Sequence, residues 1–291
     1  MEGSNVSLMT HIKQASAKMS KGQKAIAAFI LKDYDKAAYL TAARIGEEAG
    51  VSESTVVRFA MELGFEGYPH FQKALQEELK VKLTAAQRFK ASARLAETHD
   101  ILTTVLQADI DKLRRTNERI DREAFAECVE ALLSAQRIYI LGVRSSASLA
   151  SFLGFYFNLI FDNIRLVQTT SVSEMFEQIL TVREGDVVIG ISFPRYSRRT
   201  IKAMQYARDS GATVIAITDK KDNPVAGSAD LSLYAPSDMM SFADSLVAPL
   251  SVINALIVAV ALRLKDRVNE HLEKLEHIWD EYDVYDKGDL S

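Results

Sequence analysis

Two runs of hydroxyl and guanidinium side chains stand out in this chain as groups able to hold anions or read hydrogen-bonding edges. The first is Ser52, Ser54, Thr55 and Arg58. Hydroxyls at the start of a helix, with an arginine one turn further on, can contact phosphates and base edges in a DNA groove, where arginine grips guanine or phosphate. The second set lies in two segments, Arg144-Ser145-Ser146 and Ser192-Phe193-Pro194-Arg195-Tyr196-Ser197. Serine hydroxyls and backbone N–H groups fix phosphate or carboxylate oxygens, and arginine adds a charged fork. The plainer alternative for Ser145, Ser146 and Ser197 is helix capping, and for the arginines pairing with acids such as Glu174 and Glu177.

The elements that must carry the first set are two short helices. Ile45, Ala49 and Val51 repeat at helical spacing, Gly50 stops the first helix, and Ser52 is placed to cap the second. Val56, Phe59 and Leu63 would form the inward side of that second helix, leaving Ser52, Ser54, Thr55 and Arg58 outside. Gly46 falls where the helices cross, so a residue without bulk allows the close approach of a helix-turn-helix. Phe71, Leu75 and Leu79 continue an apolar period beyond the hairpin, which places it inside an all-α domain. Tyr68 and Lys73 complete the expected set of duplex contacts.

A different rhythm positions the second set. Residues 138–142, 186–192 and 212–218 are nearly continuous runs of branched apolar residues, the pattern of strands buried on both faces. Residues 164–168 and 231–234 are shorter candidates, and helical stretches such as 146–161 and 197–210 separate the runs. The alternation predicts an α/β doubly wound domain with a five-stranded parallel sheet, in which ligands bind beyond the carboxyl ends of the strands. Both arginine-serine segments follow such strand ends.

At 291 residues the chain can bury two cores. The stretch from 80 to 120 lacks proline and glycine and reads as a helical connection. The expected domains are therefore 1–82, helical and DNA-binding, 83–120, a helical linker, and 121–291, ligand-binding and oligomerising. Although the net charge is −4, residues 1–90 carry 13 Lys and Arg against 10 Asp and Glu, with Lys13, Lys18, Lys21 and Lys24 clustered ahead of the hairpin. A local basic patch suits phosphate neutralisation. The apolar stretch 246–262 is interrupted by Pro249, Ser251 and Asn254, as suits a buried helix more than a membrane span. Cys128, the single cysteine, reads as a packed thiol. No signal peptide is visible, and a cytoplasmic location is expected. No Cys-x-x-Cys, His-x-x-x-His or phosphate-binding Gly-Lys loop occurs, so neither metal nor cofactor is expected. Residues 267–285 form an amphipathic pattern suited to packing or to assembly.

The order of parts resembles the RpiR family of bacterial transcription regulators, which join an amino-terminal helix-turn-helix domain to a sugar-isomerase-type (SIS) domain. Its specific element here is Ala49 to Phe59 followed by Leu63-Gly64-Phe65-Glu66-Gly67-Tyr68 and Phe71. The resemblance implies a homodimer or homotetramer that binds double-stranded operator DNA and answers to a small anionic effector, a phosphorylated sugar or derivative. Two departures stand out. Arg144 occupies the place of the second glycine in the family's Gly-x-Gly-x-Ser turn, with Ser146 at the serine. Ser192 to Ser197 matches Ser-x-Ser-Gly-x-Thr with Pro194 and Arg195 at the middle serine and glycine. Pro194 removes an N–H from the usual backbone cradle. A non-enzymatic regulator is expected; the alternative is a sugar-phosphate isomerase, which needs a carboxylate or histidine base. None of His11, His70, His99, His271 and His277 falls in the strand-loop regions.

Overall fold

The computed structural model describes residues 8–82, 86, 89, 100–169, 171–238 and 243–285. The chain divides into two compact units, Met1–Leu95 and Ala96–Ser291.

The first unit is helical: α1 (Leu8–Ala15), α2 (Lys21–Lys32), α3 (Tyr34–Ala37), α4 (Ala42–Ala49), α5 (Glu53–Glu62) and α6 (Tyr68–Lys82). Helix α2 opens with a reciprocal capping box between Ser20 and Gln23, which satisfies two N–H groups that a helix start leaves open. Its core joins Ile26 and Ile30 of α2, Ile45 of α4, Val56 and Phe59 of α5, and Phe71 and Leu75 of α6. Phe59 meets Phe71 edge to face at 5.7 Å. Leu79 lies beyond the residues whose side chains are described.

In the second unit, α7 (Ile101–Arg119) and α8 (Arg122–Ser134) precede β1 (Ile138–Gly142), α9 (Ser145–Ile160), β2 (Ile164–Val167), α10 (Val172–Gln178), β3 (Val187–Ile191), α11 (Arg198–Asp209), β4 (Thr213–Thr218), β5 (Leu231–Tyr234), α12 (Val247–Arg263) and α13 (Lys265–Glu281). All five strands are parallel, in the order β2-β1-β3-β4-β5. Alternation along each strand divides the side chains between two cores. Ile138, Ile140, Ile189 and Ile215 face α9 and α12, whereas Tyr139, Leu141, Val188 and Val214 pack with residues of α10 and α11. Both faces are covered, which is why the strands are apolar without a gap. Asp186, just before β3, is buried and takes a two-pronged ion pair from Arg137, Nε at 3.1 Å and Nη2 at 2.8 Å.

Of the stretch expected as a connection, residues 101–119 form α7 and belong to the second unit. Leu113 packs against the sheet's core, Lys112 is buried against Asp109 at 3.0 Å, and Thr116 is buried with it. Residues 83–85, 87, 88 and 90–99 lie outside the described residues. Helix α12 is the apolar stretch anticipated at 246–262, with Val252, Ile253, Leu256 and Val260 buried. Among the described residues no single helix is long and apolar enough to cross a membrane. Cys128 is fully buried, and burial followed by the nearby Glu127 charge pushes its thiol up to about 12. Helix α13 keeps no fully buried side chain; Val268 rests on the core, while Leu272 and Ile278 are exposed.

Candidate functional site

In the first unit the chain turns at Gly50, whose φ of 67° is left-handed. That geometry ends α4 and lets the Val51 N–H reach the Gly46 carbonyl at 2.8 Å. A Cβ on Gly46 would stand 2.8 Å from the Val51 carbonyl oxygen and 3.3 Å from the Glu53 nitrogen. Glycine is therefore required for α4 to sit this close to the start of α5. The inward side of α5 is Val56, Phe59 and Ala60, with Leu63 just past its end.

On the outer face Ser52, Ser54 and Arg58 are exposed and Thr55 is half-buried. Ser52 holds the N-cap position but does not cap. Its hydroxyl bonds instead to those of Ser54, at 2.9 Å, and Thr55, at 2.8 Å. The three hydroxyls form one cluster at the amino end of α5, where partial positive charge and open N–H groups favour phosphate oxygens. Lys73 is exposed on α6.

Tyr68 requires a correction. It is buried, and its hydroxyl donates to the Leu40 carbonyl at 2.5 Å, a bond to which Gln72 adds a second donor at 2.8 Å. Burial pushes that hydroxyl up to about 12. Tyr68 ties α6 to the turn after α3 and has no face to offer a duplex.

In the second unit β1 and β3 are neighbours although β2 lies between them in the chain. That is the point where the order reverses, and the crevice beyond it is where open α/β sheets bind ligands. A cavity of about 590 Å³ lies there. All six residues expected as ligand contacts line it: Arg144, Ser145 and Ser146 after β1, and Ser192, Arg195 and Ser197 after β3.

Close packing sets each loop. A Cβ on Gly142 would lie 2.6 Å from the Ser146 carbonyl oxygen, so α9 begins directly against the end of β1. Across the crevice, the buried Ser192 hydroxyl accepts the Ser197 N–H at 3.0 Å, and the Ser197 hydroxyl accepts the Thr200 N–H at 3.3 Å. Ser197 thus caps α11, as the plainer alternative held, yet each hydroxyl still has its proton to give. Tyr196 anchors the same loop to the end of β4, its hydroxyl donating to the Asp219 carboxylate at 2.9 Å and 3.2 Å. Burial raises Asp219 above the ordinary carboxylate range against the opposing bond from Tyr196; burial, then the Asp219 charge, pushes the Tyr196 hydroxyl up.

Arg144 and Arg195 both adopt left-handed backbone, with φ of 57° and 66°. These are the two positions where the family pattern has glycine, and here each carries a large cationic side chain. Such backbone costs a non-glycine residue about 1 to 3 kcal/mol. Neither guanidinium is ion-paired to an acid among the described residues. Pairing with Glu174 is not observed, since that carboxylate accepts the Thr169 hydroxyl.

Besides the apolar Val143, Phe193 and Pro194, four polar or charged residues outside the expected ligand set line the cavity: Thr169, Arg198, Arg199 and Asp244. Arg198 and Arg199 follow Ser197 directly, so position next to the loop was a usable signal. Asp244 comes from the segment before α12, far along the chain, and no local pattern marks it.

Two family models match the chain. Residues 6–82 fit the helix-turn-helix domain of the rpiR family, and residues 131–259 fit the SIS domain. An HTH-type transcriptional regulator of Clostridium perfringens is 24% identical over 268 residues, covering 92% of this chain and 95% of that protein. Another from Caldanaerobacter subterraneus is 25% identical over 277 residues, with the same coverage. Among solved structures, the sugar isomerase domain of an RpiR transcription factor from Sphaerobacter thermophilus is 27% identical, with a TM-score of 0.58 over 62% of this chain and 99% of that one. The NanR protein of Vibrio vulnificus, solved with ManNAc-6P, shares the fold over 93% of this chain and 98% of its own, at 22% identity and a TM-score of 0.57. The two matched regions account for most of the chain, which joins a helix-turn-helix domain of the rpiR family to a SIS domain.

Proposed function

We propose that this chain is a transcriptional regulator that grips operator DNA through α5 and changes that grip when a small anionic ligand of the phosphorylated-sugar class enters the cavity between β1 and β3. The observation that carries this reading is the open outer face of α5. Ser52, Ser54 and Arg58 lie exposed at the start of a helix whose other side is locked into the core. Thr55 and the exposed Lys73 extend the contact surface, Lys73 toward phosphate.

The ligand end of the reading is supported by the arginines and serines of the cavity, and by the solved complex of NanR with a phosphorylated sugar derivative. A ligand drawing Arg144 and Arg195 together would bias the loops that lead into α9 and α11, and in an assembly of two or four copies would alter the spacing of the reading helices. Couplings of this kind are commonly about 1 to 3 kcal/mol. An isomerase would need a base beside the reacting carbon. Among the described residues the lining includes no histidine and one carboxylate, Asp244, a composition that favours binding over proton abstraction.

Selection of bound sequences from a random duplex pool is the direct test. An enriched site should emerge, and its affinity in a gel-shift titration should respond to a phosphorylated sugar. Selection returning no preferred sequence would remove the regulator reading, and turnover of a phosphorylated sugar by the purified protein would replace it with the isomerase.

A further inference from the structure

We infer that the cavity takes a ligand with two separated anionic groups, a sugar acid phosphate or a sugar bisphosphate, in preference to a sugar with a single phosphate. This rests on the reading of the cavity as the effector site and adds the charge pattern of its ligand.

The first argument is charge. Arg144 and Arg195 line the cavity from separate loops, and neither is ion-paired to an acid among the described residues. One phosphate, about −1.5 to −2 at neutral pH, held at either loop leaves the guanidinium of the other without an anion. The second argument is placement. Arg144 introduces α9, which packs on the sheet face of Ile138 and Ile140; Arg195 precedes α11, which packs on the opposite face, of Tyr139 and Leu141. The two arginines therefore belong to loops that leave the crevice toward opposite sides of the sheet. Each loop brings its own hydroxyls to the lining, Ser145 and Ser146 with Arg144 and Ser197 with Arg195. Two half-sites face one crevice, and a molecule bridging them meets a cationic fork at each end. The third argument is conformation. Both positions carry a backbone that glycine would adopt without cost, yet both hold arginine. A phosphate cradle built from backbone N–H groups would be served by glycine at both places; the guanidinium groups supply charge at two points that such a cradle lacks. The cavity volume, about 590 Å³, lies within the range of pockets for small ligands.

The test uses the full chain in calorimetric titrations with two matched pairs at one salt concentration. Glucose 6-phosphate is compared with 6-phosphogluconate, which adds a carboxylate at the first carbon, and fructose 6-phosphate with fructose 1,6-bisphosphate, which adds a phosphate there. In at least one pair the doubly anionic member should bind about tenfold more tightly or better, and the pair showing the gain identifies the second group as carboxylate or phosphate. Arg144→Gly suits the observed backbone and keeps the fold, which circular dichroism checks; it should reduce that gain to about threefold or less. Equal affinity within both pairs overturns the inference and leaves an anion-responsive regulator standing. An undiminished gain in Arg144→Gly also overturns it, because the second group would then lie elsewhere. Failure of all four probes to bind at millimolar concentration overturns it too, while the duplex selection judges the regulator reading independently.

Discussion

The turns of the helical unit and the corners of the cavity treat left-handed backbone in opposite ways. In the helical unit Gly50 and Gly64, at φ of 67° and 89°, take the turns, and an added Cβ at either would meet nothing within 4 Å. In the sheet unit the corners at the cavity are Arg144 and Arg195, at φ of 57° and 66°. Where the chain has only to change direction, glycine does so at no steric cost. Where the corner also lines a cavity, the strained conformation is retained and a guanidinium is placed on it. Strain tolerated at two corners of one cavity is the pattern expected when the side chains there serve a ligand.

The largest expected effect tests whether the helical unit depends on close approach. Gly46→Ala places a Cβ 2.8 Å from the Val51 carbonyl oxygen, and because the obstacle is backbone, the hairpin itself must open. That unit should lose about 2 to 3 kcal/mol, the upper part of the overpacking range, and operator binding should fall with it. Urea unfolding followed by circular dichroism measures the loss; an unchanged midpoint would mean that the α4–α5 crossing is looser than drawn. Arg58→Ala comes next. It removes an exposed side chain, so stability and oligomeric state should hold while operator binding weakens by about 1 to 3 kcal/mol if Arg58 reads a base. Unchanged affinity in a gel-shift titration excludes Arg58 from the contact set.

The sheet was readable because strands covered on both faces must be apolar throughout, and residues 138–142, 187–191 and 213–218 show that run. Which residue faced which core was not readable, since Ile140 and Leu141 look alike until helices cover them. The hydroxyl-arginine loops were visible because they follow strand ends directly. Thr169, two residues past the end of β2, carried the same strand-end signal without an arginine beside it, whereas Asp244 carried none, because it reaches the cavity only through tertiary packing. Tyr68 misled for the same reason: its partner, the Leu40 carbonyl, lies 28 residues earlier, and nothing near a tyrosine in sequence reveals a distant acceptor. Helix α7 was foreseen as a helix, but its buried Lys112 and Thr116 place it in the second unit, although polar residues ordinarily suggest an exposed connection.

A reciprocal pair of substitutions breaks or sharpens the contrast between corners. Arg195→Gly relieves the left-handed backbone and should stabilise the sheet unit by about 1 kcal/mol, raising its melting temperature while ligand affinity falls. Gly50→Ala imposes a positive φ on a side chain, with no clash to add, and should destabilise the helical unit by about 1 kcal/mol. Opposite signs in thermal melts, with ligand binding lost only in Arg195→Gly, establish the difference. A stability loss in Arg195→Gly would show that the guanidinium is structural.

The smallest effect separates two serines that hold the same position in their helices. Ser197 precedes α11 and accepts the Thr200 N–H, whereas Ser52 precedes α5 and bonds only to the hydroxyls of Ser54 and Thr55. Replacing a serine that caps costs about 1 kcal/mol, so Ser197→Ala should show that loss in urea unfolding. Ser52→Ala should cost about 0.5 kcal/mol or less, because hydroxyls exposed to water recover their bonds there and no backbone donor is orphaned. Its consequence should appear in operator binding instead, through a hydroxyl cluster placed to meet phosphate. Equal stability losses for the two serines would mean that Ser52 caps α5 in solution, and the case for its hydroxyl as a DNA contact would then rest on nothing in the helix itself.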